Sequence, residues 1–121
     1  MPIVYVFGNP EISSDSLPLR ILDELHTRRP DIDFQVLDPN ENWPETEEMT
    51  VIDTVVGIKE AVIFEDLDKF EAAPTLTMHD FDALAQMRLL KKIGRLKKVR
   101  IIGLPANLPE DIAVTETLKL L

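Results

Sequence analysis

The sequence predicts an α/β fold of three layers: a mainly parallel, twisted sheet of about five strands flanked by helices. Three observations predict it. First, the runs PIVYVFG (2–8), MTVIDTVVG (49–57) and VRIIGL (99–104) are nearly continuous in apolar, β-branched residues. That is the mark of strands buried on both faces. Second, segments between them repeat apolar residues at helical spacing: Leu17, Ile21, Leu22 and Leu25, then Phe81, Leu84, Met87, Leu90 and Ile93. Third, strand-like and helix-like segments alternate along the chain, the plan of a parallel sheet with crossover helices.

Taken in order, the first strand covers Pro2 to Gly8 and reads as central in the sheet. Gly8-Asn9-Pro10 ends it with turn chemistry. Ser13, Ser14, Asp15 and Ser16 are all suited to cap the following helix, and Pro18 suits its first turn. That helix spans 17–28, with Arg20, Asp23, Glu24 and Arg28 off its apolar face, and Pro30 stops it. Phe34, Val36 and Leu37 mark a second strand. Residues 39–48 form a polar loop that carries Trp43, suited either to packing on its own domain or to anchoring a partner.

The strand at 49–56 follows, then a short one from Ala61 to Phe64 and an acidic loop. Thr77 caps a helix over 77–93, Lys91 and Lys92 complement its dipole, and Gly94 suits the C′ position. The last strand runs from Val99 to Leu104. Asn107, Pro109 and Thr115 are turn or cap signals before a short final helix to Leu121.

The 121 residues suffice for a single domain, 1–121, with its own core. Hydrophobic residues make up 45%, and no apolar run approaches the roughly 18 residues of a membrane helix. Met1 leads directly into a strand-like run, so no targeting peptide is read and the cytoplasm is expected. The absence of cysteine excludes disulfides, thiolate nucleophiles and cysteine metal sites. A net charge of −9 argues against nucleic-acid binding. Positive charge is concentrated nonetheless: residues 88–100 hold seven of the thirteen Lys and Arg, and no acid.

Three polar positions fall at strand ends or helix starts that this plan can bring together: Asp15, Asp53 and His79. Ligands bind at the carboxyl ends of strands in open α/β sheets, and Asp53 falls near such an end. Two carboxylates and an imidazole suit a borderline divalent metal such as nickel or zinc, with positions left open. The plainer readings are a helix cap for Asp15, a hydrogen-bonded structural acid for Asp53 and a surface residue for His79. His26, late in the first helix, reads as an ordinary exposed histidine. No P-loop, GxGxxG or GxSxG motif is present. A flavodoxin-like or response-regulator domain would need a phosphate loop or an acidic pocket with a Lys partner, and the sequence places neither.

Over nearly its whole length the chain resembles the nickel–iron hydrogenase maturation endopeptidases. The resemblance rests on a strand ending in Gly8-Asn9, a loop with Asp15 six residues after Asn9, and a helix with Arg20. It continues with Asp53 in VIDTV, with Thr77-Met78-His79 in place of a Ser-x-His, and with IIGLPANLPEDIAVTETL at the last strand and helix. Three departures stand out. Asp15 replaces a frequent Glu, LDPNENW has no Gly-rich turn, and Ala106 follows Pro105.

The resemblance implies a phosphorylase/hydrolase-like fold and a nickel-dependent, aspartic-type endopeptidase. Such an enzyme removes the C-terminal extension of a nickel–iron hydrogenase large-subunit precursor after nickel insertion. It assigns metal contact to Asp15, Asp53 and His79, catalysis to Asp15 and Asp53, and substrate binding to Asn9 and Asp38. Nickel would arrive in the precursor, so no permanent cofactor is expected. The precursor is the one partner implied, without nucleic acid or membrane. The alternative is a non-catalytic relative, a metal-sensing or assembly module that binds the precursor without cleavage.

Three open ligands predict weak nickel binding by the isolated chain. Only neutral imidazole binds metal, so affinity should fall as the pH drops through the ordinary histidine range near about 6.5. His79→Ala should remove most of the affinity. Calorimetry giving equal affinity for the variant and the wild type would exclude His79 as a ligand.

Overall fold

The computed structural model describes residues 2–8, 11, 16–37, 46–55, 58–65 and 96–121. Five strands form one sheet: β1 (Ile3–Val6), β2 (Asp33–Val36), β3 (Glu48–Val55), β4 (Val62–Phe64) and β5 (Lys98–Pro105). Their order is β2-β1-β3-β5-β4. All neighbours are parallel except β4, which runs antiparallel to β5 at one edge. The sheet therefore has the expected mainly parallel, five-stranded plan. Its centre is β3, however, and β1 lies one place to the side. Neighbours in a sheet are chosen by long-range pairing, which the local apolarity of β1 does not encode.

The longest ladder joins β3 to β5 over eight pairs, from Glu48 opposite Lys98 to Val55 opposite Pro105. Both strands are buried without interruption over their last five residues, Val51–Val55 and Ile101–Pro105. Alternation along the strands splits the core into two clusters. Tyr5, Phe7, Met49, Val51, Val55, Val99 and Ile101 lie on one face, with Leu37 and Leu96 packed there. Val4, Val6, Ile52, Ile102 and Leu104 lie on the other, under helices.

Those helices are α1 (Leu17–Arg20), α2 (Leu22–Arg28) and α3 (Glu110–Leu120). The apolar face read from sequence is the buried one: Leu17, Ile21 and Leu25 are fully buried, and Leu22 packs against the same cluster. The expected continuous helix 17–28 is instead interrupted at Ile21, whose φ of −92° and ψ of −1° lie in the bridge region. The helical path is maintained there, because Ile21 donates to Leu17 O at 3.2 Å and Leu25 to Ile21 O at 3.0 Å.

The last helix starts at Glu110 with Pro109 as its N-cap residue, where Glu110 and Asp111 suit the positive end of the dipole. Thr115 is inside this helix and is no cap. Its hydroxyl donates to Asp111 O at 3.0 Å, the back-bond that lets a Thr sit within a helix. Among the described residues no helix is long and apolar enough to cross a membrane. The helix expected over 77–93 and Trp43 lie outside the described residues.

Tyr5, only 6% exposed, has its phenol pKa raised above the ordinary 10.0, by burial first and by the charge of Asp33 second. The folded state thus holds the phenol proton more tightly than the unfolded chain. The associated stability is fully present below the unfolded value of 10.0 and is lost as the pH rises through the higher folded value. Tyr5 is the chain's one tyrosine. An ultraviolet phenolate titration should therefore give a midpoint above 10.0 when folded and near it in denaturant. The alkaline loss of stability, at most about 1.4 kcal/mol per pH unit for one proton, should be smaller in Tyr5→Phe.

Candidate active site

The chain leaves β1 for β2 on one side, then returns to place β3 on the other. Such a reversal opens a crevice at the carboxyl ends of the two strands, the place where α/β sheets bind ligands. Here those strands are β1 and β3. One bond between them runs from the Phe7 N–H to Ile52 O at 2.9 Å. The next residue of β3 is Asp53.

Asp53 is 1% exposed and follows the alternation of Met49, Val51 and Val55 onto the face opposite the described helices. The buried polar and charged residues among those described are Ser16, Asp53, Thr54 and Thr117, so Asp53 is the sole buried carboxylate among them. Burying a carboxylate among apolar side chains is costly unless its oxygens are hydrogen-bonded. One such bond is local: the Thr54 N–H donates to Asp53 Oδ1 at 2.8 Å. Ile52 O points to β1, so by the two-residue repeat Thr54 N–H points to the same side. The carboxylate is held next to that amide, near the carboxyl end of β3, where open α/β sheets of this topology bind ligands.

Of the five residues assigned from sequence, Asp53 alone falls among those described. Asn9, Asp15, Asp38 and His79 lie outside them. Among the described residues no three His, Cys, Asp or Glu group as a metal site. Ser16, next in sequence to Asp15, is the N-cap residue of α1 but makes no side-chain cap bond. Its hydroxyl instead accepts from Arg20 Nε at 3.0 Å. Arg20 Nη1 also lies 3.6 Å from Glu110 Oε2, so one arginine links the start of α1 to the start of α3.

Sequence reading missed Gly103, the register partner of Asp53 on β5. The available signal was a glycine inside an otherwise apolar strand, which often marks a close approach. His26 is exposed, and its ring meets Phe34 edge-on, with centroids 5.4 Å apart. A groove of about 440 Å³ runs between α2 and α3, lined by Glu24, Arg28, Asp111 and Ile112 among others. It belongs to the helix layer, on the other face of the sheet from Asp53.

The basic stretch can be placed in part. Lys98 and Arg100 open β5, and Gly103 lies opposite Asp53. The five steps from Lys98 to Gly103 span about 16 Å along a strand. Acids accompany these cations: Lys97 Nζ lies 3.4 Å from Glu47 Oε1, and Arg100 Nε lies 3.8 Å from Glu65 Oε1. Arg100 Nη2 also donates to Leu120 O at 3.4 Å, tying the end of α3 to β5. These residues stand at the amino end of the sheet.

No protein-family model and no curated protein matches the sequence. Solved structures do. The chain is similar to the hydrogenase maturating endopeptidase HybD from E. coli, with a TM-score of 0.70 and 18% identity over 99% of this chain and 89% of that one. An endopeptidase from Escherichia coli gives 0.66 and 16% identity, covering 99% and 89%. The hydrogenase 2 maturation peptidase from a Thaumarchaeota archaeon gives 0.54 and 18%, covering 99% and 95%. The α/β fold of this chain is the fold of these proteins over almost its full length.

Neutralising Lys97 and Lys98 together as Gln should leave nickel affinity unchanged in a calorimetric titration, because both sit at the far end of the sheet from Asp53. A loss of nickel binding in the double variant would place the basic stretch on the wrong side.

Proposed function

We propose that the chain is an endopeptidase that removes the C-terminal extension from the large-subunit precursor of a nickel–iron hydrogenase. The observation that carries this reading is the position of Asp53. The sole buried carboxylate among the described residues stands at the switch point of a sheet whose fold is that of hydrogenase maturation endopeptidases.

On this reading nickel belongs to the substrate. Asp15, Asp53 and His79 contact the nickel already inserted in the precursor. Three ligands leave coordination positions for the precursor's own groups. Hydrolysis adds water across the scissile C–N bond: the water oxygen bonds to the carbonyl carbon and the amine leaves with a proton. A carboxylate of the Asp15–Asp53 pair accepts the water's proton and returns one to the leaving amine. The apolar surroundings of Asp53 strengthen its interaction with any cation that reaches the crevice. Asn9 and Asp38, which follow the first two strands in the sequence, contact the peptide.

Incubating the purified chain with a nickel-loaded large-subunit precursor should shorten the precursor by one fragment, read by intact mass. A nickel-free precursor should stay whole. Asp53→Asn keeps the shape but removes the charge, and should slow cleavage by about 100-fold or more. Tight binding of the precursor with no change in its mass would overturn the protease reading.

A further inference from the structure

We infer that Gly103 is a positioning residue for Asp53, the bare strand position over which Val55 and Phe64 close to form the wall beside that carboxylate. The inference rests on the reading of Asp53 as a site residue. Asp53 and Gly103 are Cα partners in a parallel pair, so a side chain at 103 would project from the same face as Asp53. Glycine leaves that place to its neighbours. A Cβ built there would lie 2.8 Å from Val55 Cγ2, 2.9 Å from Phe64 Cε2 and 3.5 Å from Phe64 Cδ2. Carbon atoms in contact sit at roughly 3.5–4.0 Å, so a methyl group does not fit without movement.

The two neighbours reach Gly103 from opposite sides. Val55 comes from β3, two residues past Asp53 on the same face, and Phe64 from the edge strand β4, where Val62 pairs with Gly103. Val55 is β-branched and yields little by rotation. Its strand neighbours Asp53 and Thr54 are fixed to each other through the carboxylate–amide bond. Pressure on Val55 is therefore passed along the end of β3 to Asp53. A displacement of about 1 Å at a reacting group can cost on the order of 100-fold in rate.

The test compares Gly103→Ala with Asp53→Asn, and with Ile21→Val in the helix layer as a control for general stability. Substrate is the nickel-loaded precursor, and nickel(II) chloride alone serves as a binding probe. Gly103→Ala should fold with a lowered Tm. Its kcat should fall about tenfold or more with KM little changed, and its nickel affinity should weaken. Adding Phe64→Leu, which removes ring atoms next to the new methyl, should restore most of the kcat. Ile21→Val should lower Tm while kcat holds.

A wild-type kcat and nickel affinity in folded Gly103→Ala would overturn the inference. So would a loss matched by Ile21→Val at equal Tm, or a failure of Phe64→Leu to restore the rate. If Gly103→Ala does not fold, Phe64→Ala opens the same wall without adding atoms. Its kcat should fall about tenfold, and a wild-type value there overturns the inference as well. Asp53→Asn separates the two readings. If it cleaves normally, the site reading fails; if it is inactive while Gly103→Ala is normal, only the positioning inference fails.

Discussion

The rest of the fold hangs on the parallel pairing of β3 with β5. Its eight pairs bring together the two strands that are most fully buried. A parallel ladder of this kind must be covered on both faces, because neither face can be left to water. That requirement explains the two clusters and the helices over one of them. Burying a Val, Leu, Ile or Phe side chain contributes roughly 1.5–3 kcal/mol, so the ladder supplies much of the stabilisation in a chain of this size. It also sets where everything else goes. Once Asp53 is opposite Gly103, the basic start of β5 is at the far end, and Val62 of β4 pairs with Gly103 from the other side.

Much of this was legible in the sequence, for physical reasons that also mark its limits. Continuous β-branched runs gave β1, β3 and β5 to within a residue or two, since local composition reports burial on both faces. The helical spacing of Leu17, Ile21 and Leu25 gave the buried side of α1 and α2, since a face has to repeat to be covered. The interruption at Ile21 has no such repeat to announce it. Thr115 resembled a cap because the hydroxyl that caps a helix can equally bond back to a carbonyl four residues earlier. The central place of β3 and the partnership of Asp53 with Gly103 depend on which strands meet, and register is long-range information. Of the candidate site, the sequence singled out Asp53, which is buried near the carboxyl end of β3, on the strand beside β1. Asn9, Asp15, Asp38 and His79 are assigned from resemblance, outside the described residues.

Charge is arranged by the same ladder. At the amino end of the sheet, Lys97 and Arg100 stand with Glu47 and Glu65, and Arg100 closes the end of α3. These pairs are largely exposed, and such pairs contribute about 0–1 kcal/mol each, less at high salt. The clustering of cations in sequence looks functional, but in space Lys97 and Arg100 each stand beside an acid. At the carboxyl end the arrangement differs. There Arg20 joins the starts of α1 and α3, bonding to Ser16, the residue after Asp15 in the sequence. A linker at that end holds the starts of α1 and α3 in fixed relation, whatever its small contribution to stability.

Asp53 and Thr54 together break the rule that the middle of a parallel sheet is apolar. Asp53 sets a carboxylate on one face, and Thr54 on the other carries a buried hydroxyl without a hydrogen-bond partner among the described residues. An unsatisfied buried hydroxyl costs on the order of 1–3 kcal/mol, and a valine would fill the same volume without that cost. The orphan hydroxyl alone does not mark a site, because Thr117 in α3 has one too and lies away from the crevice. The carboxylate is the discriminating feature. Its burial opposes folding, its neighbours on the strand are Val51 and Val55, and a leucine or valine there would extend the core. Natural sequences depart from local consistency chiefly where function requires it. The most costly departure among the described residues falls at the crevice that the strand order creates, and the fold and the chemistry thus point to the same residue by independent routes.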